Sequence, residues 1–229
     1  MKVTVTILLI AIITGTPVLF SNAYAEKSIG FKGGLTVSNY WGKDSGQDFK
    51  GGIVGGVFFT YMFNTKLLLF ENIGIQPELL YHSKGAKEST QLDEVQEEFF
   101  GIELTETIDY IEIPILCKLE IPPSSSITKG YLLLGPALAY NFHSEYEIEF
   151  GSGYTEQQID ALERAQEEYY ISPRDMDIGF VLGLSADIKI RSIDLVVDFR
   201  HTLGLMSTVD DYTARNQTIS LMFGAKHSF

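Results

Sequence analysis

Cysteine is almost missing from this chain: Cys117 is the only one, so no internal disulfide can form and stability must come from another source. Basic residues are scarce as well, 17 Lys and Arg against 30 Asp and Glu, for a formal net charge of −13. Nucleic-acid phosphates demand Lys and Arg, so this balance argues against nucleic acid as a partner. Beyond residue 25 no stretch reaches the ~18 continuous apolar residues of a membrane helix. Four histidines and one cysteine offer no zinc-ligand spacing. The nucleophile elbow G-x-S-x-G, the metalloprotease H-E-x-x-H and the phosphate-binding P-loop are all absent. The expectation is a protein that is not an enzyme, with no catalytic residues, no cofactor and no metal.

What is present begins at the N-terminus. Met1-Lys2, an apolar run through Leu19 and Phe20, and Ala23-Tyr24-Ala25 have the basic start, hydrophobic core and A-x-A site of a secretory signal peptide. The prediction is a cleaved segment over 1–25 and one mature domain over 26–229, exported by a bacterium. The position after Ala25 is Glu26 and not cysteine, so a lipoprotein anchor is not indicated. If this exported chain enters a membrane, it does so as strands.

The final stretch shows how. Ile219, Leu221, Phe223, Ala225 and Phe229 share one face of an extended strand, and Thr218, Ser220, Met222, Gly224, Lys226 and Ser228 share the other. The same period of two recurs in about Ser28–Tyr40, Lys50–Phe63, Asn72–Ser83, Asp109–Ile121, Gly130–Tyr146, Asp177–Ile190 and Ile193–Leu203. The fold class predicted is all-β: an eight-stranded antiparallel transmembrane up-and-down barrel. Connections after the first, third, fifth and seventh strands are long or acidic, while the others are short. Outer-membrane barrels show this asymmetry, with long loops outside and short periplasmic turns. A soluble lipocalin-like barrel would instead put its apolar face inside. In this orientation Phe31, Tyr61, Phe63 and Phe229 form an aromatic girdle at the periplasmic rim, and Tyr81, Tyr140, Phe142 and Phe180 one at the outer rim.

The segments GFKGGLTVSNYWG from Gly30, GGIVGGVFF from Gly51, IGIQPELLYHSKG from Ile73, YIEIPILCKLEI from Tyr110, GYLLLGPALAYNF from Gly130 and IDLVVDFRHTLGL from Ile193 resemble the porin-family or PorT-like outer-membrane β-barrel domain of Bacteroidetes-type Gram-negative bacteria. The resemblance covers the mature chain and implies location in the outer membrane, among lipid and lipopolysaccharide. The terminal Phe229 resembles the signal read by the barrel-assembly machinery, although His227 stands where that family more often has an aromatic or aliphatic residue. The resemblance implies little about activity.

Function has to be sought on the polar residues. On the inward face lie Lys32, Glu78, Glu112, Lys118, Glu120, Asp187, Lys189, Asp194, Asp198 and Arg200, a charge network of both signs in a lumen only wide enough for side chains. A salt-bridged plug is the first expectation and a narrow diffusion pore, with inward glycines such as Gly34 and Gly56 leaving space, is the alternative. His82 and His143 are expected inward near the outer rim, where a histidine–carboxylate pair is the only feature that could support acid–base chemistry; His201 and His227 are expected outward. Acids crowd two outer connections, Glu88 to Glu106 and Glu145 to Glu168, which makes a structural, binding or adhesion role toward an extracellular ligand the leading expectation. Thr155-Glu156-Gln157-Gln158 predicts a capping box opening a short helix toward Tyr169. Apolar Val95, Phe99, Phe100, Ile102 and Leu104 predict that part of the second connection packs or extends the barrel above the membrane.

Overall fold

The computed structural model describes residues 26–229 apart from 43–47, 64, 67–68, 96–97, 152, 160–172 and 209–213, and the predicted signal segment lies outside the described residues. Eight strands follow in order: β1 Glu26–Gly42, β2 Lys50–Phe63, β3 Ile73–Val95, β4 Glu98–Ile121, β5 Thr128–Phe150, β6 Met176–Ile190, β7 Ile193–Gly204 and β8 Ala214–Ser228. Each pairs antiparallel with its sequence neighbours, and β1 with β8 closes the ring. That seam runs from Ser28 opposite Ser228 to Gly42 opposite Ala214. Closure satisfies the backbone groups that an open edge would leave exposed to hydrocarbon.

Alternation along each strand sorts side chains between lipid and lumen. Phe31, Leu35, Leu182, Phe199 and Phe223 are each at least half exposed outward, while Lys32, Glu78, Arg200 and Met222 on the opposite face are buried. An apolar outside around a polar inside is the inverse of a soluble barrel. All eight predicted girdle aromatics lie on the outward parity. Tyr61 and Phe63 meet edge to face with centroids 4.9 Å apart, and Tyr81 and Phe142 lie 6.1 Å apart.

The second connection departs from expectation. Residues 84–107 are not a loop: β3 and β4, 23 and 24 residues long, run on together with Ser89 opposite Glu103 and Gln91 opposite Gly101. β5, 23 residues long, joins them with Thr105 opposite Glu147. A tilted strand crosses a bilayer in about 9–11 residues, so roughly half of each stands clear of it. The segment had no readable period because both of its faces leave the hydrocarbon, and the extension that Ile102 and Leu104 implied is a three-stranded sheet. The helix is present over 156–159, with the Thr155 amide and hydroxyl donating to Gln158 Oε1 at 3.0 and 2.9 Å. Its continuation toward Tyr169 lies outside the described residues.

At its base β3 leans across the barrel mouth. Gly85 has φ 135°, which side-chain-bearing residues rarely adopt, and a Cβ there would meet the Glu106 carbonyl oxygen. Ser38 Oγ donates to the Gly85 carbonyl at 2.9 Å and Thr36 Oγ1 to that of Ser83 at 3.3 Å, so β1 side chains hold the bend. Tyr40, Ala86 and Ala214, from three different strands, then pack together over the outer end of the lumen.

Ring closure also demands tight contact between strands. A Cβ on Gly34 would lie 1.9 Å from the Leu221 carbonyl oxygen, whereas one on Gly51 would meet nothing within 4 Å. Gly34→Val is expected to lower stability to urea by about 1–3 kcal/mol, seen as loss of the fast-migrating folded band on gels of unboiled protein; Gly51→Val should leave that band unchanged.

Candidate functional site: the lumen and the sheet above it

The lumen is filled in layers, and its centre is an ion-pair quartet. Arg200, from β7, sends Nη1 and Nη2 to the two oxygens of Glu78 on β3, both at 2.7 Å, and sends Nε and Nη2 to Asp198, also at 2.7 Å. Lys32, from β1, reaches Glu78 and Asp198 at 2.8 Å each. Two cations and two carboxylates therefore balance, with the guanidinium fork satisfying both acids at once. Gln76 donates to Glu78 at 2.6 Å and receives the Thr60 hydroxyl at 2.9 Å, which ties β2 to the same layer. Buried charge is tolerated only when so paired.

Apolar side chains flank the quartet. Leu116, Leu133, Ala137 and Val181 form one cluster and Val54, Leu80 and Met222 another. Toward the outer end, Glu112 accepts from Lys84 and lies 3.2 Å from His82 Nδ1. Asn216 bridges the Tyr110 hydroxyl and Asp177 at 3.2 and 3.1 Å. Toward the other end Asp187 accepts from Lys118 at 3.1 Å and pairs with Lys226 at 2.9 Å, while Lys118 lies 4.0 Å from the centroid of the Tyr131 ring. Asn72 donates to Glu120 at 2.7 Å.

Most of the predicted charge network is thus gathered inside. Lys32, Glu78, Glu112, Lys118, Glu120, Asp187, Asp198 and Arg200 are all buried, and Asp194 is half-buried beside Lys226 at 3.6 Å. Lys189 is the exception: it has the inward parity but is exposed at the short-turn rim, because parity sets direction and not depth. Lys226, already expected on the polar face of the last strand, joins this network, and so do Lys84, one residue beyond the expected end of β3, and the apolar fillers Val54, Leu116 and Val181, which alternation alone does not single out. His143 does not point inward. Pairing of β4 with β5 slips at Asp109 and Tyr110, which face His143 and Asn141, and the extra residue turns His143 out to solvent.

Above the membrane the three-stranded extension has two unlike faces. Glu145, Glu147 and Glu149 are exposed along β5 on the face that carries Glu103 of β4. Lys87 donates to Glu103, and this hydrogen bond holds its ammonium above the usual lysine range. The opposite face carries the half-buried Ile102, Leu104, Tyr146 and Ile148. Glu106, expected among the surface acids, instead turns inward beyond the apolar band. It accepts from the Tyr40 hydroxyl, and burial pushes its carboxyl upward against that bond. Among the described residues no group of three His, Cys, Asp or Glu side chains is arranged to hold a metal ion.

An eight-stranded ring with an apolar outside and an ion-paired inside defines an integral β-barrel of the outer-membrane kind. The chain belongs to the outer membrane protein beta-barrel domain family, whose profile matches residues 21–210. No curated protein matches the sequence. Among solved structures it is similar to Ail of Yersinia pestis in complex with the heparin analogue sucrose octasulfate, at 13% identity over 90% of this chain and 100% of that one, with a TM-score of 0.39. It is also similar to Outer Membrane Protein W of E. coli, at 13% identity over 88% of this chain and 97% of that one, TM-score 0.40. Neisserial surface protein A is a further example, at 10% identity over 88% and 97%, TM-score 0.39.

Removing one partner of a buried quartet strands the charges left behind. Arg200→Ala is expected to destabilise the folded barrel by about 3–5 kcal/mol in urea titration, whereas Lys189→Ala at the exposed rim should stay within about 0.5 kcal/mol of the parent.

Proposed function

We propose that this outer-membrane barrel, of the PorT-like porin-family type and exported by a cleaved signal peptide, is a sealed scaffold that presents an acidic sheet to an extracellular partner. One observation carries the reading: the side chains of Lys32, Glu78, Asp198 and Arg200 at mid-lumen are at most 3% exposed, so the central quartet leaves water almost no space between them. A pore would need a continuous wet path there. The length of β3, β4 and β5 instead goes outward, into a three-stranded platform with Glu145, Glu147 and Glu149 at alternate positions. Adhesion to a basic surface follows from that charge, with lipopolysaccharide and membrane lipid around the barrel and the assembly machinery as its partner during insertion.

Catalysis has no support in this reading. His82 and Glu112 do form a pair, but His82 is 2% exposed and Lys84 occupies the same carboxylate, so a substrate has no access to it.

Decalysine serves as a probe of the platform. The folded protein in detergent micelles should bind it saturably and in a salt-dependent way. Exchanging Glu145, Glu147 and Glu149 together for Gln should weaken binding about tenfold, at about 0.5 kcal/mol per exposed charge. Equal affinity of the parent and the triple variant would remove the acidic face from the function.

A further inference from the structure

The short-turn end of the barrel, which faces the periplasm in outer-membrane barrels, holds a cavity of about 390 Å³. Its wall is built from β6, β7 and β8, and its other side is a strut: Lys129 Nζ, from β5, lies 3.4 Å from Glu26 Oε2 on β1, across the barrel mouth. Both side chains of the strut are more than a third exposed, so it is a contact between two solvated groups and not a sealed pair. Ser228 Oγ donates to the same Glu26 carboxylate at 3.2 Å.

The charge of this cavity runs against that of the protein. Lys129, Lys189, Arg191 and Lys226 line it against Glu26, Asp187 and Asp194, a small positive excess in a chain of net −13, to which the α-ammonium of Glu26 adds in a chain cleaved after Ala25. Lys226 and Asp187 are occupied with each other. Among the described residues Lys189 and Arg191 have no carboxylate within ion-pair distance. Both lie at the β6–β7 turn, where Lys189 stands opposite Asp194 in the ladder and Arg191 has φ 60°. Asp194 keeps only the long 3.6 Å contact to Lys226. The cavity therefore offers two uncommitted cations, one under-used carboxylate and a lysine that already holds a carboxylate belonging to the chain itself.

We infer that this mouth is a binding site for a small carboxylate-bearing molecule of the amino-acid or short-peptide class, entering from the periplasmic side. The ligand carboxylate displaces that of Glu26 and engages Lys129, Lys189 and Arg191, and its ammonium is taken by Asp194. Glu26 marks the position such a carboxylate occupies. The site is at the opposite end of the barrel from the acidic sheet, so it stands whether or not the sheet binds a partner.

Calorimetric titration of the folded protein in micelles tests this with trialanine, trialanine amide, N-acetyl-trialanine and glycerophosphate. Trialanine is expected to bind saturably, and removing its carboxylate or its ammonium to weaken binding about tenfold or more and severalfold, respectively. K189Q/R191Q should weaken trialanine about tenfold, and Glu26→Ala, which removes the internal competitor, should strengthen it. Each variant is first shown folded by its unboiled gel mobility. The inference is overturned if trialanine shows no saturation up to about 10 mM, or if the amide or K189Q/R191Q binds as the parent does. Glycerophosphate binding as tightly as trialanine would equally overturn it, since the site would then take lipid headgroups and not peptides.

Discussion

Hydrocarbon offers no water to a backbone amide, and the rest of this molecule depends on that fact. A membrane chain that crosses with strands satisfies its backbone by closing a sheet on itself, and the pairing of β1 with β8 is that closure. Eight strands make a ring whose interior only just fits side chains. The residues that alternation sends inward must then fill it, and those that carry charge must find partners within it. The quartet of Lys32, Glu78, Asp198 and Arg200 is the outcome, binding β1, β3 and β7 through the middle while backbone bonds hold the wall.

Much of this was legible in the residues. The observed bounds of β2 are those its alternation predicts, and Ile111, Ile113 and Ile115 against Glu112 fix the faces of β4, because lipid on one side and lumen on the other imposes a strict period of two. The pattern failed where lipid stopped. Residues 84–107 alternate poorly because the sheet above the bilayer meets water, and a strand under that condition reads as a polar loop. Lys84 lies one residue beyond the Ser83 end that the alternation predicts for β3, although it is buried on Glu112. His143 was misplaced by one inserted residue, which no local composition betrays. Which carboxylate meets which cation depends on register around the whole ring, so Arg200 with Glu78, 122 positions apart, could be assigned a face but not a partner.

The two ends of the barrel differ in kind. At the outer end β3 bends at Gly85, Tyr40 and Ala86 cover the lumen, and the long strands rise as a sheet with an acidic side. The short-turn end is open, and Lys129, Lys189, Arg191 and Lys226 line its cavity. The buried, ion-paired quartet lies between them. The lipid-facing band, from Leu35 to Phe223, is apolar throughout the exposed positions that fix the barrel in hydrocarbon.

The proposed scaffold role requires a sealed lumen. Current across a planar bilayer holding folded protein measures that directly. No unitary steps are expected from protein whose gel mobility shows it folded. Stable unitary steps whose size or ion selectivity changes in Arg200→Gln would contradict it, since the quartet would then line a conducting path.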